Sequence, residues 1–299
     1  MTFKKIEVNF FVMLEIRELD RLLSLFLEVM DDPSKKELLL YLLCYVQIAR
    51  REGSGTVELD ELLSCAYRNF RTSRSFWKDV LVELNLFKIW DLYGNVYKGK
   101  DIYKLSESGV YLMTLEGSYA QDISSFGHRV LKYWNIVNRL DGRRSLGETI
   151  KACVFAFNEE LYQEAALYAE LQKERVPQEA SFFSLIEELC RASLTKKKED
   201  IHGHLLKSYK LARELGDVYY EVNIRKLRED IQKGIKRLQK NQDPGKIKIE
   251  FVWKRNKRSF LSYLWEKITR WYRNWRRREP LRATKPYVSI MKDYVQGVF

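Results

Sequence analysis

The residues best placed to do chemistry lie near the C-terminus, where cations and aromatics recur at helical spacing. If 260–278 is helical, an advance of ~100° per residue puts Phe260, Trp271, Leu264, Trp275, Ile268, Leu261, Tyr272 and Trp265 within an arc of about 140°. Arg270, Arg273 and Arg277 fall on the opposite face, with Lys267, Arg276 and Arg278 at or near the margins of the apolar arc. Three readings stand side by side. The aromatic stripe can pack on protein with its cationic back in water. The six cations can meet phosphates while Trp271 and Trp275 stack on unpaired bases. The helix can also lie on an anionic membrane surface, which a tryptophan-rich apolar arc with a basic face suits equally.

Elsewhere the chemistry is sparse. His202 and His204 form the one closely spaced histidine pair, but no third ligand stands beside them, so a solvated loop is expected and no metal is assigned. Gly53-Ser54-Gly55-Thr56 lacks the Lys-Ser/Thr of a phosphate-binding loop and reads as a turn. There is no H-E-x-x-H, G-x-G-x-x-G or G-x-S-x-G motif. Acidic pairs such as Glu159-Glu160 and Glu187-Glu188 belong to ordinary helix faces. No catalytic residue and no cofactor are assigned, and a non-enzymatic role is expected. Cys44, Cys65, Cys153 and Cys190 are far apart with no C-x-x-C pair, as reduced core thiols of a cytosolic protein would be.

The chain has 299 residues, 45% of them hydrophobic and 31% charged, with 14 Gly and 5 Pro. That composition excludes a collagenous, low-complexity or largely disordered chain. Glu7 and Glu15 interrupt the apolar start, so a signal peptide is not expected. The longest apolar run, 38–49, is short of the ~20 residues that cross a bilayer. The net charge of +12 is unevenly placed: 246–299 carries 15 basic and 4 acidic residues, a net of +11. A polyanion should therefore meet the C-terminal region first.

The rest of the chain reads as mainly α. Leu19, Leu22, Leu23, Phe26, Leu27 and Met30 give helical periodicity to an N-terminal extension over 1–33. Ser34 and Glu37 have capping-box spacing before a helix that Gly53 ends near Arg51. A second helix is expected over 58–67 and a turn over 68–71. A third starts near Thr72 or Ser73 and runs through Phe76, Val80, Leu81 and Leu84. Phe87 to Trp90 alternates like a strand that Gly94-Asn95 turns back into 96–105.

Three helices followed by a hairpin, with Ser73-Arg74-Ser75-Phe76-Trp77-Lys78-Asp79-Val80-Leu81 and the post-hairpin Leu105-Ser106-Glu107-Ser108-Gly109, resemble a winged helix-turn-helix domain over 34–110. The resemblance covers about a quarter of the chain. It implies that the third helix enters the DNA major groove through Arg71, Ser73, Arg74 and Lys78, and that Lys98 and Lys100 on the wing reach the neighbouring backbone. Winged helices also dock proteins, and the near-neutral charge of this stretch leaves that use open.

Residues 111–144 read as a connecting segment with a helix through Trp134, Val137 and Leu140. Ser145 and Glu148 repeat the capping-box spacing before a helix through Ile150, Val154 and Phe155. Over 145–240, Leu161-Tyr162-Gln163-Glu164-Ala165-Ala166-Leu167-Tyr168-Ala169 and Ser208 to Asp217 are similar to tetratricopeptide helices, without the full period, so an irregular helical-hairpin array is expected. Asn241 to Gly245 reads as a turn or linker, and Ile247, Ile249 and Phe251 as one face of a short strand that opens the basic region 241–299.

These readings point to a cytoplasmic, DNA-binding transcriptional regulator. The winged helix supplies base reading and the C-terminal region phosphate affinity, with DNA favoured over RNA. The helical array would hold a protein partner or a second subunit. The alternative is a scaffold protein, peripheral to an anionic membrane through its C-terminal helix.

Overall fold

In a computed structural model, residues 20–70, 76–140 and 145–252 are described. Asp20 begins the first of the described helices, α1 (Arg21–Asp31), by accepting the Leu23 amide at 3.0 Å. Leu22, Leu25, Phe26 and Val29 are fully buried, so α1 is enclosed on most of its circumference rather than lying on the surface. Pro33–Lys35 forms a single 3-10 turn before α2 (Lys36–Glu52). The Ser34–Glu37 capping box is not formed: the Ser34 hydroxyl donates to Asp32 at 2.7 Å, so the aspartate caps the 3-10 turn and Lys35 becomes the residue preceding the helix. Gly53, at φ +64°, closes α2 as expected of a residue free to take the left-handed conformation.

A two-residue strand, β1 (Val57–Glu58), leads into α3 (Leu59–Phe70), which is still helical at 68–70, where a turn is expected. Then come α4 (Trp77–Leu84), β2 (Phe87–Asp91), β3 (Val96–Tyr97), a 3-10 helix over Gly99–Lys104, and β4 (Tyr111–Leu115). The sheet order is β1-β4-β2-β3, all pairs antiparallel. The long return strand expected over 96–105 is thus only two residues. The main partner of β2 is β4, paired from Phe87 with Leu115 to Asp91 with Tyr111. Tyr111 to Leu115 is apolar at nearly every position, and so short a run does not separate strand from buried helix by period. It lies at the centre of the sheet, not in the connecting segment. Tyr45 on α2 locks the two ends together, donating to Gly55 O and accepting from the Leu115 amide.

Beyond a 3-10 turn at Gly117–Ala120, α5 (Ile123–Arg139) packs on α2. The following helices, α6 (Leu146–Asn158), α7 (Tyr162–Arg175), α8 (Ala180–Leu194), α9 (Lys198–Glu214) and α10 (Ile224–Gln239), each pack on the one before. Ala165 and Ala169 on α7 and Ala152 and Ala156 on α6 are fully buried or nearly so, letting the axes approach. A small hairpin, β5 (Val218–Tyr219) and β6 (Val222–Asn223), joins α9 to α10. Ser145 caps α6 as expected, accepting the Glu148 amide at 3.2 Å. Ser145→Ala is expected to cost about 1 kcal/mol of stability, read by urea denaturation. Core residues of the sheet region and of the array belong to one continuous apolar cluster.

The strand expected around Ile247 to Phe251 is an extended strip with one isolated bridge, Val222 to Phe251. His202 and His204 lie on α9, not in a loop, and His204 Nδ1 is 2.7 Å from Glu188. Among the described residues no group of His, Cys, Asp and Glu is placed to hold a metal ion, and no helix is long and apolar enough to cross a membrane. The four cysteines are free thiols, with Cys44, Cys153 and Cys190 buried.

Candidate nucleic-acid interface

Arg71, Ser73 and Arg74 lie outside the described residues, as do Lys267, Arg270, Trp271, Arg273, Trp275, Arg276, Arg277 and Arg278. Three expected contacts can be placed. Lys78 on α4 donates to Leu105 O at 2.6 Å and Tyr103 O at 3.3 Å, with its ammonium over the Trp77 ring. It holds the 3-10 helix Gly99–Lys104 against α4. Lys98 pairs with Glu116 at 2.7 Å, and Lys100 is exposed.

The solvent side of α4 is acidic and internally engaged. Asp79 accepts from the Tyr103 hydroxyl at 2.9 Å, and Glu83 accepts from Lys35 at 2.6 Å. Arg21 closes the C-terminal end, donating to the carbonyls of Glu83 and Leu84. The 3-10 helix is thus tied along one side of α4 through Lys78 and Asp79, while Asp79 and Glu83 stay exposed and set carboxylates where a groove-reading helix would need cations. Phe76, 62% exposed at the N-terminal end, marks where this helix is still open. Below it, a cleft of about 540 Å³ has Leu59, Leu63, Trp77 and Tyr111 as apolar walls and Asp60 and Glu107 at its edge. Two carboxylates make it unattractive to phosphate.

The hairpin tip is the more open surface. The Asp91 carboxylate accepts from the amides of Tyr93 and Asn95, each at 2.9 Å, from the Asn95 side chain at 2.8 Å and from the Tyr97 hydroxyl at 3.1 Å. These bonds hold the Asp91 carboxyl below its usual range. They fix a rigid loop that leaves Leu92 and Tyr93 in solvent, Tyr93 at 93% exposure. The only sequence signal was Gly94-Asn95, which marks the turn but not the apolar side chains it displays.

One buried polar cluster escaped the sequence reading entirely. Arg129 on α5 bridges Asp20 at 2.6 Å and Glu164 at 2.7 Å, while Tyr133 donates to the same Glu164 oxygen at 2.7 Å. Tyr119 donates to Asp20 and accepts the Leu22 amide. Burial works against the Arg129 charge, but Tyr133, Glu164 and Asp20 outweigh it and hold the guanidinium firmly protonated. Burial, with Asp20 adding to it, pushes the Tyr119 hydroxyl up to about 12, and burial raises Tyr133 well above the ordinary value.

A phenol with a raised folded-state value contributes fully below its unfolded value, near pH 10, and loses that contribution as pH rises through the folded one. The melting temperature is therefore expected to fall between pH 10 and about 12. In Tyr119→Phe, part of that slope should disappear.

The chain is similar to an uncharacterized protein of Aquifex aeolicus (strain VF5), 36% identical over 264 residues, which is 84% of this chain and 83% of that one. No family model matches the chain. Nor does any solved structure.

Proposed function

Since the chain belongs to one family with that Aquifex aeolicus protein, we propose a function for it from its own residues: it is a nucleic-acid-binding protein, a DNA-binding regulator with a winged-helix region, a tetratricopeptide-like helical array that docks protein, and a basic C-terminal region. The observation that carries the reading is the sheet order β1-β4-β2, with β1 between the first two of the three helices α2, α3 and α4. That is the connectivity a winged helix needs: a short strand after its first helix, paired with the returning strand of the wing. The charge supports a division of labour. Residues 253–299 hold 13 basic and 3 acidic residues, a net of +10, so sequence-independent phosphate affinity belongs there. Base contact falls to the N-terminal end of the third helix and to the pinned tip at Leu92 and Tyr93, because the exposed positions of α4 include Asp79 and Glu83, which repel phosphate.

A protein-docking role is the second reading, favoured by the acidic side of α4 and by the engagement of Lys78 and Lys98 within the chain. One experiment separates the two: binding of the full chain to duplex DNA, single-stranded RNA and anionic vesicles across a salt series. The nucleic-acid reading expects tightest binding to duplex DNA, weakening steeply as salt rises. Absence of DNA and RNA binding by the folded chain at low salt would leave the docking reading, and vesicle binding alone would move the C-terminal region to a membrane surface.

A further inference from the structure

The strip 246–252 is held in a way that ordinary chain packing does not require. Asn158, the last residue of α6, donates from its side-chain amide to Ile249 O at 2.8 Å and accepts from Ile249 N at 3.0 Å. A carboxamide sets its carbonyl oxygen beside one of its two N–H donors, as the C=O and N–H of one strand residue are set, so this pair reads extended backbone as a neighbouring strand would. The hairpin β5–β6 supplies the other edge: Asn223 N donates to Glu250 O at 2.8 Å, and Val252 N donates to Glu221 O at 2.6 Å. Side chains add selectivity. Ile249 is 2% exposed, Phe251 packs its ring 5.5 Å from Phe155, and Lys246 pairs with Glu160.

The backbone around this corner turns sharply as well. Among the described residues, five that are not glycine have positive φ, and Glu160, Tyr220 and Glu221 are three of them. Glu160 presents the carboxylate to Lys246, and Tyr220-Glu221 forms the two-residue turn that turns Glu221 O toward Val252. Positive φ at Tyr220 and Glu221 is what a two-residue hairpin turn takes, whereas Glu160 holds its left-handed conformation where it meets Lys246.

We propose that the corner formed by the end of α6, the start of α7 and the β5–β6 hairpin is a recognition site for extended peptide, with residues 246–252 as its resident ligand. A partner protein can compete for it with a segment of the same pattern: a cation, a branched aliphatic residue three positions on, and an aromatic two positions further. The pattern is that of Lys246, Ile249 and Phe251, whose seating defines the chemistry of the site. This holds whether or not the chain binds nucleic acid.

The test uses the full-length chain carrying Ile249→Asp, which unseats the resident strip, and a fluorescent peptide with the sequence of residues 245–252. Saturable binding is expected, weakened at least tenfold when the peptide carries Asp at its isoleucine position or when the chain also carries Asn158→Leu. Should Ile249→Asp not fold, Phe251→Ser replaces it, since Phe251 is only half buried. A folded variant that does not bind the peptide at millimolar concentration, or that binds both peptides equally, overturns the proposal.

Discussion

Arg129→Met is expected to lower the stability of the folded chain by about 3–5 kcal/mol, because it removes the one cation between two carboxylates in a largely dry setting. Glu164 is 4% exposed and would be left with only the Tyr133 hydroxyl from the present cluster, while Asp20 would lose its partner at 2.6 Å. A typical domain has only ~5–15 kcal/mol to lose, so the variant should approach its unfolding threshold. The comparison that isolates the cause is Arg129→Met with Glu164→Gln. The glutamine oxygen still accepts from Tyr133 without a buried charge, and at least half of the loss should return. Urea denaturation of both variants decides it, and a cost below about 1 kcal/mol for Arg129→Met would show that water replaces the guanidinium.

Removing residues 253–299 is expected to weaken duplex DNA binding by about 100-fold or more at 50 mM salt and to flatten its salt dependence, since a loss of roughly six phosphate contacts removes their released counterions. The cut belongs after Val252. A chain ended at Gly245 would also lose Ile249 and Phe251 from the apolar core, and weaker binding could then reflect damage to α6 and the β5–β6 hairpin. Binding within threefold of the full chain would return the phosphate contact to the residues before Val252, whose net charge is only +2.

The elements that carried their own local signals were legible from sequence. Gly53 ends α2, Ser145 starts α6, and alternation in Phe87 to Trp90 marks β2, because cap and period are properties of a few adjacent residues. Phe76 is expected on the apolar side of the third helix, but Trp77 takes that place and Phe76, just ahead of α4, faces solvent. β4 was missed for want of a period. The Arg129 cluster was beyond reach for another reason: its members, Asp20, Tyr119, Arg129 and Glu164, are brought together only by the packing of α1, α5 and α7, and no spacing along the chain encodes it. The Asn158 contact with Ile249 spans 91 positions and was equally invisible. Of the site residues inferred from the winged-helix resemblance, the pattern identified surface cations but not which of them the chain uses on itself, as Lys78 shows.

Helix α1 is shared property. Arg21 caps α4 beside the sheet, and Asp31 at the other end holds Arg175 of α7 at 2.6 Å. Both regions close on this one segment, so the sheet region and the array are expected to unfold together in a single cooperative transition. Expressed apart, each would present to solvent the apolar surface that α1 now covers.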